Sequence, residues 1–539
     1  NPPYMGGGKM NKILGDYVKS NYPNSKSDLM TCFMESGWNT LHNNGYLGMI
    51  NLPSWLFLSS FEKLRDILVN DKHIDSLLHM GRGIFGVDWG STSFIVKNGE
   101  SNTTGQYFKL HKRNFQHLYP EDIRDIFLKS LEDTSVKIDY DKYREGEGVS
   151  SLENLVSEIG LTVSYTTNQK DFSKIPGSPI GYWLSEELIF AFESNSKFET
   201  VSSPKVGMQT SNNNRFLRLW YEVNYSEMLS RKWVKYLKGG TSRKWYGNNT
   251  HLLNYEDKGN VYKTIKNATC LDESYLNKLK CTWNDIASND FNCRLAEVDT
   301  FYDLAGHCFF PTEANKFNLL GFANSSLFNH IMKIINPTLH FQVGDVSKIP
   351  FNQAILDSYD LRNNSQSCYE ISKQEDATHE NSYIFQTNSL VKLKSYDLEE
   401  SYDLFKEYWK NQFYKLKKLE EAINIEVLEL YNLQNTVQPK VSLKHISILK
   451  EETSIINGEL VFNQKEVFSQ FISYAVGCMF GRYSLDKEGL ILANQGETLQ
   501  DYLLKVEKQE SELSFIPDDD NIIPILDDEW FEDDIVGRF

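Results

Sequence analysis

An alternation of helical and strand patterns within residues 28–96 constrains the fold more than any other feature of the sequence. Asp28 is a good helix N-cap and is followed by apolar residues at helical spacing, and Asn43-Asn44-Gly45 is a strong turn signal. The predicted order is helix (28–41), buried strand (45–53), helix (59–69), strand (73–79) and strand (91–96). This order predicts an α/β fold, specifically the trailing half of a doubly wound sheet.

The chain opens with Asn1-Pro2-Pro3-Tyr4, a stiff turn because each proline fixes φ near about −65° and restricts the residue before it. The exocyclic amine of adenine is a poor nucleophile, and two acceptors aimed at its protons would return electron density to the nitrogen. The Asn1 side-chain carbonyl and the Pro2 backbone carbonyl can be those acceptors, and the Tyr4 ring can stack on the base. A base in a duplex must flip out to reach such a pocket. The alternative is a plain proline turn.

In order and spacing, these segments resemble the gamma class of amino DNA methyltransferases. The matching motifs are Asn1–Tyr4, Asp28-Leu29, residues 45–55 and Ile84-Phe85. Further along, the chain resembles the PglX family, the adenine-specific methyltransferases of BREX phage-defence systems. The segments that carry this second resemblance are 174–185, 214–223, 239–247 and 335–345.

The resemblance implies a site-specific DNA adenine methyltransferase that uses S-adenosylmethionine and acts in phage defence and host DNA modification. It assigns catalysis to Asn1, Pro2, Pro3 and Tyr4, base stacking to Phe85 and Tyr4, and a cofactor-adjacent position to Asn1, Asp28 and Leu29. The partners that it implies are double-stranded DNA and either other BREX proteins or a phage inhibitor, in the bacterial cytoplasm.

In this family the glycine loop that binds the cofactor lies ahead of the tetrapeptide, so we expect no counterpart within this numbering. That expectation leaves a second hypothesis open: a catalytically incomplete module that binds DNA or a defence complex. A third hypothesis keeps the chemistry and changes the substrate, because Asn-Pro-Pro-Tyr also serves RNA and protein-glutamine methyltransferases.

The formal net charge of −17 argues against a nucleic-acid partner only superficially. The acidic excess falls in residues 99–171 and 351–539, whereas residues 1–98 and 172–350 are slightly basic. Local charge matters more than total charge for steering a charged ligand.

A basic and aromatic stretch at residues 228–255, which contains no acidic residue, and the amide-rich stretch before it form the predicted DNA-binding surface. Lysine and arginine neutralise phosphates, and arginine, asparagine and glutamine also read base edges. The predicted contact residues are Gln209, Asn214, Arg215, Arg218, Arg231, Lys232, Lys235, Arg243 and Lys244. The alternative is a solvated basic hairpin whose Trp and Tyr side chains belong partly to a core.

Composition changes predict four segments. Residues 1–98 are assigned to the C-terminal half of a Rossmann-like methyltransferase domain, 99–171 to a linker or insertion, 172–350 to an α+β target-recognition domain, and 351–539 to a helical domain with an acidic tail. Helices are predicted at 121–134, 319–335, 402–433 and 468–483.

The seven cysteines form no Cys-x-x-Cys pair, so we expect no metal site and no disulfide framework. The apolar run at 471–480 is too short to span a bilayer.

Overall fold

The apolar patterns behind the tetrapeptide fold into helices and strands close to the predicted bounds. A computed structural model describes residues 1–82, 84, 90–99, 104–112, 117–143, 152–158, 160–287, 290–336, 338–525 and 534–539. The chain forms two units. The first contains Asn1–Ser196, His330–Thr338 and Lys348–Pro350, and the second contains Lys197–Asn329, Leu339–Ser347 and Phe351–Phe539. The structure is mixed α/β, which confirms the predicted class at that level.

The first unit combines a mixed sheet with short helices. Its helices are α1 (Lys12–Asn21), α2 (Leu29–Asn39), α3 (Glu62–Asp71), α4 (Pro120–Glu132) and α5 (Glu186–Ser194). Its strands are β1 (Tyr46–Asn51), β2 (Lys72–Gly81), β3 (Ser91–Asn98), β4 (Gly105–Lys109), β5 (Lys137–Ile138), β6 (Leu161–Thr162) and β7 (Ser164–Thr167), and β8 (Ser196–Lys197) follows. The helices and strands predicted within 28–96, and the helix at 121–134, are thereby confirmed.

The principal sheet of this unit has the strand order β1-β3-β2-β4-β7. β3 runs antiparallel to both β1 and β2, β2 and β4 are parallel, and β7 is antiparallel to β4. Strands β1, β2 and β4 therefore point the same way, and their carboxyl ends share one edge of the sheet. β1 pairs with β3 alone among the described strands and is half-buried. The strand predicted at 45–53 is therefore present, but its predicted burial is wrong.

A buried arginine joins the helix after β1 to a distant loop of the same unit. Arg65, on α3, is 1% exposed and donates to the carbonyls of Trp55, Leu58 and Gly177 at distances of 2.7–2.9 Å. Gly177 has a φ of 86°, a left-handed conformation that glycine adopts without strain. Arg65 thus uses its planar set of donors to fix the 174–185 segment against the core of the first unit.

Among its described residues, the second unit contains a four-stranded sheet, a three-stranded sheet, a two-stranded hairpin and most of the helices. Its strands are β9 (Leu217–Leu219), β10 (Trp233–Leu237), β11 (His251–Asn254), β12 (Lys280–Asn284), β13 (Cys293–Ala296), β14 (Thr300–Tyr302), β15 (Gly306–Phe309), β17 (Thr453–Ile456) and β18 (Glu459–Phe462), with β16 at Pro350–Phe351. The larger sheet has the order β14-β10-β11-β9, and the smaller has the order β13-β12-β15.

The helices from α6 onward are mostly short, with one long exception. They are α6 (Asn213–Phe216), α7 (Tyr225–Leu229), α8 (Lys316–Asn324), α9 (Ser326–Ile335), α10 (Val343–Ser347), α11 (Ala354–Asp357), α12 (Tyr359–Asp376), α13 (Ser389–Lys392), α14 (Leu398–Leu430), α15 (Gln464–Met479), α16 (Leu499–Val506) and α17 (Ile535–Arg538). The predicted helices at 402–433 and 468–483 are confirmed as α14 and α15.

The predicted single helix at 319–335 is wrong in one respect, because two helices, α8 and α9, meet there. Ser325 leaves helical geometry with a ψ of 156°, and its hydroxyl accepts a hydrogen bond from the Phe328 amide at 3.2 Å. A serine side chain in this position caps a new helix and so competes with continuing the old one.

The 33-residue helix α14 buries one face along its length. Its buried positions recur every three or four residues, as an amphipathic helix requires. They are Tyr402, Phe405, Trp409, Phe413, Leu416, Glu420, Ile423 and Val427. The one carboxylate in this series, Glu420, faces the core and therefore needs a partner there.

Buried ion pairs provide that partner and connect α14, α12 and the loop after β10. Lys244 Nζ lies 2.8 Å from Glu420, whose other oxygen accepts a hydrogen bond from the Trp245 indole at 2.8 Å. Arg243 contacts both oxygens of Glu375, which is fully buried. A carboxylate and a cation that are buried together satisfy one another, whereas either alone would be costly.

His379 and Glu452 form a third buried ion pair, with 2.7 Å between Nε2 and the carboxylate. Burial alone would lower the pKa of His379, but the charge of Glu375 and the hydrogen bond that His379 donates to Glu452 raise that pKa to about 9. Burial alone would raise the pKa of Glu452, but the hydrogen bond and charge of His379 hold that pKa at about 2. Both groups are therefore charged at neutral pH.

This pair predicts a pH-dependent contribution to stability. The histidine contribution is complete below pH 6.5 and is lost as pH rises through about 9, because the folded-state pKa is the higher one. The glutamate contribution is present above pH 4.5 and is lost as pH falls through about 2. We expect Glu452→Gln to lower the free energy of unfolding at pH 7 by about 3 kcal/mol. The difference from the unsubstituted chain should narrow between pH 7 and 10 in denaturant titrations.

The control for this prediction is Asp403→Asn, which removes the exposed Asp403–Lys406 pair of α14. An exposed pair contributes little, so this variant should change stability by less than about 1 kcal/mol at every pH. A Glu452→Gln effect that stays constant from pH 7 to 10 would contradict the assigned histidine charge.

Candidate functional site

The tetrapeptide forms an exposed turn with one buried anchor. Pro2 is buried, whereas Asn1 and Pro3 are exposed and the Tyr4 side chain is 37% exposed. The Tyr4 hydroxyl donates a hydrogen bond to Asn1 Oδ1, and partial burial raises the pKa of this phenol. A carbonyl oxygen has two lone pairs, so Asn1 Oδ1 keeps one acceptor position for a further donor. The bond to Tyr4 fixes which way that position points.

Asp28 connects this turn to the start of α2. Its Oδ1 accepts from the Met30 amide at 3.0 Å as the N-cap of α2, and from the Met5 amide at 3.2 Å. The Met5 carbonyl in turn accepts from the Leu29 amide at 3.0 Å, and the Gly7 amide donates to the Ser27 carbonyl at 2.9 Å. The chain after Tyr4 is thereby paired antiparallel to the residues around Asp28.

The topology places this turn at the carboxyl edge of the sheet. A short connection leads from the end of α2 to the start of β1, against which α2 packs, so the two elements run in opposite directions. The N-terminus of α2, with Asp28 and the tetrapeptide, therefore lies at the edge where β1 ends. Because β1, β2 and β4 are parallel, the loops after β2 and β4 leave from the same edge. In open α/β sheets this edge is where ligands bind.

The predicted cofactor-adjacent residues have structural positions, but their roles remain predictions. Asp28 and Leu29 are both half-buried beside the turn. Asp28 Oδ1 is occupied by two amides, which leaves Oδ2 as the oxygen that can accept from a ligand. The predicted stacking residue Phe85 lies outside the described residues.

Four of the predicted DNA-contact residues come together beside the edge strand β9. Gln209 lines a cavity of about 320 Å³, and Asn214 and Arg218 line a neighbouring cavity of about 430 Å³. Lys238 and Asn213 belong to both cavities. Arg215 is exposed, and its guanidinium lies over the Phe216 ring at 4.9 Å. The fold thus forms a continuous amide-rich surface, in which the cations Arg218 and Lys238 lie among the carboxylates Glu222, Asp285 and Asp303.

His251 also lines this surface, although no motif in the sequence indicates that position. It lines the larger of the two cavities and is the register partner of Leu219 across β9 and β11. Only the strand pairing brings His251 to the amide-rich stretch, and a lone histidine in a strand carries no signal of such a position.

Arg231, Lys232 and Lys235 occupy less open positions than their acid-free stretch suggests. Arg231 pairs with Asp299 at 3.2 Å, and Lys232 pairs with Glu227 at 2.6 Å. Lys235 lies over the Tyr383 ring at 4.6 Å, and burial lowers its pKa. Each cation therefore already has a partner within its own unit.

Arg243 and Lys244 require a correction. Both side chains are largely buried, and they pair with Glu375 and Glu420 as described above. A cation that is enclosed with its carboxylate cannot also reach a phosphate, so these two residues stabilise the fold and we remove them from the candidate DNA surface. The Trp245 and Tyr246 side chains beside them are fully buried, as the alternative reading of the stretch expected.

The anchoring role of Asp28 gives a direct test. We expect Asp28→Ala to lower the free energy of unfolding by about 1 kcal/mol, as loss of an N-cap does, and also to free the chain after Tyr4. Asn11→Ala is the matched control, because Asn11 caps α1 through the Leu14 amide and makes no contact with the turn. Proteolysis within residues 1–10 should accelerate in Asp28→Ala and stay unchanged in Asn11→Ala. Equal acceleration in both variants would contradict the anchoring role.

Comparison with known proteins confirms the resemblance stated from the sequence. Residues 1–85 match the family model of the Eco57I restriction-modification methylase. Along its whole length the chain is 31% identical to the adenine-specific methyltransferase BrxX of Escherichia coli O9:H4 (strain HS), of which it covers 42%. It is also 29% identical along its whole length to the adenine-specific methyltransferase PglX of Lacticaseibacillus casei (strain Zhang), of which it covers 43%. The chain therefore spans less than half of these relatives.

A solved structure of the type IIL restriction-modification enzyme MmeI in complex with DNA aligns with 83% of this chain and 55% of that enzyme. The identity is 11% and the TM-score is 0.44, too low to support an argument about function. In the part of the chain that the structure describes, no helix combines the length and the apolar character needed to cross a bilayer.

Proposed function

We propose that this chain is the catalytic-turn, recognition and C-terminal portion of an adenine-specific DNA methyltransferase of BREX-type phage defence. The observation that carries the proposal is Asn1-Pro2-Pro3-Tyr4, fixed by Asp28 at the carboxyl edge of an α/β sheet. The two adenine-specific methyltransferases that align with the whole chain support it. In this proposal the first unit contains the trailing half of the methyltransferase sheet, and the second contains target recognition and a helical region.

The chemistry assigned to the turn uses the groups that are exposed there. A flipped adenine would place its amine against Asn1 Oδ1 and the Pro2 carbonyl, and both acceptors are set before the base arrives. Tyr4 would cover one face of the base, with Phe85 predicted for the other. The hydrogen bond from Tyr4 to Asn1 couples the stacking group to the acceptor, so the base meets a single arrangement of the two.

S-adenosylmethionine would supply an electrophilic methyl group, and the donor set beside the turn is compatible with it. Asp28 Oδ2 accepts no hydrogen bond from the described residues, and Leu29 follows Asp28 in the chain. Asn1 and Pro2 would orient the amine for direct methylation, without a covalent enzyme intermediate.

Removal of the acceptor tests the assignment. We expect Asn1→Ala, introduced in the complete gene product, to abolish adenine methylation and to leave DNA affinity within about twofold, because the exposed amide lies in the turn and not on the cationic surface. Long-read sequencing of DNA from cells that carry the variant measures the modification. Retained N6-methyladenine at the host sites would refute the catalytic role of the tetrapeptide.

Binding of S-adenosylmethionine to the 539-residue chain distinguishes an active portion from a module that only binds DNA. Isothermal titration gives the dissociation constant directly. Micromolar binding that is weakened by Asp28→Ala but not by Asn11→Ala would reject the inactive module and support Asp28 as a neighbour of the cofactor.

The exposed arginines near β9 are proposed to contact DNA phosphates. Arg215 has no carboxylate partner among the described residues, whereas Arg231 pairs with Asp299 and Glu273. An arginine that must break an existing ion pair before it binds a phosphate gains less binding free energy than an arginine without such a pair. We therefore expect Arg215→Ala to reduce DNA affinity several-fold and to lower the slope of log K against log salt by about 1, and Arg231→Ala to have a smaller effect.

Fluorescence anisotropy with a duplex at several salt concentrations measures both quantities. Arg124→Ala, at an exposed arginine of α4 that pairs with Asp125, is the control for a general loss of positive charge. Equal slopes for the Arg215 and Arg124 variants would remove Arg215 from the proposed surface.

A further inference from the structure

A cluster of positively charged and titratable groups lies in the first unit near the carboxyl ends of two parallel strands. Lys109 is the last residue of β4, and its register partner on β2 is His79. Both strands end at the edge of the sheet that holds the Asn1–Tyr4 turn, as argued above. The cluster is distinct from the β9 surface, which belongs to the second unit.

The Lys109 ammonium has no carboxylate partner among the described residues. Its Nζ lies 4.2 Å from the centre of the Trp183 ring, and it makes no ion pair or hydrogen bond among the described residues. Burial lowers the pKa of Lys109 to about 8. An ammonium taken out of water without a counter-ion is costly, and the face of an indole ring offsets only part of that cost.

His79 and His330, the two titratable side chains described next to Lys109, are also basic and not acidic. Burial and the positive charges of Lys333 and Lys109 lower the pKa of His330 to about 4. Burial and the proximity of His111 and Lys109 lower the pKa of His79 well below its ordinary value, and His79 Nε2 has no hydrogen-bond partner among the described residues. The electrostatic influences on these side chains are thus positive, and an anion placed beside Lys109 would be attracted by several of them.

Perturbed and unpaired titratable groups at a ligand-binding edge are characteristic of functional sites rather than of packing. A compact ammonium is a good point-charge partner for a phosphate. Trp183 belongs to the 174–185 segment that Arg65 binds at Gly177, and its ring packs against Phe57 with 5.8 Å between the ring centres.

We propose that Lys109, resting on Trp183, binds a phosphate of the DNA backbone next to the flipped adenine. The proposal rests on the proposed function and adds to it a residue that holds the extruded nucleotide by its backbone rather than by its base. The phosphate becomes a counter-ion that the described residues do not supply, so binding offsets the desolvation cost of the half-buried ammonium.

The test uses Lys109→Met, which keeps the length of the side chain and removes its charge, and Lys109→Arg, which restores a cation. Lys129→Met, at an exposed lysine of α4, is the matched control. Binding of the 539-residue chain is measured with a duplex that carries an adenine opposite an abasic site, since this removes most of the cost of flipping. We expect Lys109→Met to weaken binding roughly tenfold and to lower the salt slope by about 1, with Lys109→Arg largely restoring both.

Two outcomes separate this proposal from the proposed function. If the unsubstituted chain binds the duplex and Lys109→Met keeps the same affinity and salt slope, the phosphate contact is overturned and DNA binding stands. If the unsubstituted chain does not bind the duplex at all, both are overturned.

A second measurement needs no variant and so covers the case in which Lys109→Met does not fold. Reductive methylation of lysines in the unsubstituted chain, read by mass spectrometry, gives the reactivity of Lys109 with and without the duplex. We expect the duplex to protect Lys109 at least several-fold and to leave Lys129 unchanged. Protection by inorganic phosphate but not by the duplex would assign the site to a free anion and overturn the DNA contact.

Discussion

The candidate active site depends on the carboxylate of Asp28. One of its oxygens accepts hydrogen bonds from the amides of both Met5 and Met30. The chain after the Asn1–Tyr4 turn is thereby bound to the same acceptor as the first turn of α2. This bond converts an exposed proline turn into a fixed feature of the sheet edge. Without it the chain after Tyr4 would be held beside α2 by the backbone hydrogen bonds Leu29–Met5 and Gly7–Ser27 alone among those described. Catalysis by preorganised acceptors requires a fixed orientation, because a mobile acceptor must be ordered in the transition state.

The second unit is organised by a different constraint, the placement of charge. The chain carries a net charge of −17, yet several of its cations are withdrawn into ion pairs with carboxylates of α12 and α14. Arg243 and Lys244 connect the loop after β10 to these two helices, and His379 and Glu452 add a third pair nearby. The cations that remain exposed to solvent, such as Arg215, are therefore only some of the arginines and lysines of this unit. A DNA surface in this unit is defined as much by the arginines and lysines that the fold removes as by those it leaves.

Much of the secondary structure could be predicted because its signals are local. The N-cap at Asp28, the spacing of apolar residues in α14 and the turn before β1 each lie within a few residues of the element that they specify. The failures have equally specific causes. A helix across 319–335 was expected from its apolar pattern, but Ser325 caps a new helix within it. Residues 45–53 were expected to be buried, but β1 pairs with one described strand alone.

The candidate site was predicted in part for the same reason. The tetrapeptide and Asp28 are recognisable as residues, but their mutual hydrogen bonds join positions 23 residues apart and follow from the fold. The Lys109–Trp183 contact has no sequence signature, since nothing in either neighbourhood indicates that β4 ends beneath that indole. Lys109 has no carboxylate partner among the described residues, and the free-energy cost of that arrangement depends on side chains that are distant in the sequence.

The sequence by itself determined the chemistry that the chain resembles, the class of fold, the helices and strands within residues 28–96, and the helices α4, α14 and α15, because each of these is indicated by short motifs or by periodicity. The tertiary structure alone decided which cations are free. Arg243 and Lys244 look like the best DNA contacts in a stretch without acids, but their carboxylate partners stand 132 and 176 residues away. The energy of an ion pair depends on the distance between the two charges in space, and the desolvation cost of burying a charge depends on the atoms that surround it. Neither quantity can be read from the order of residues along the chain.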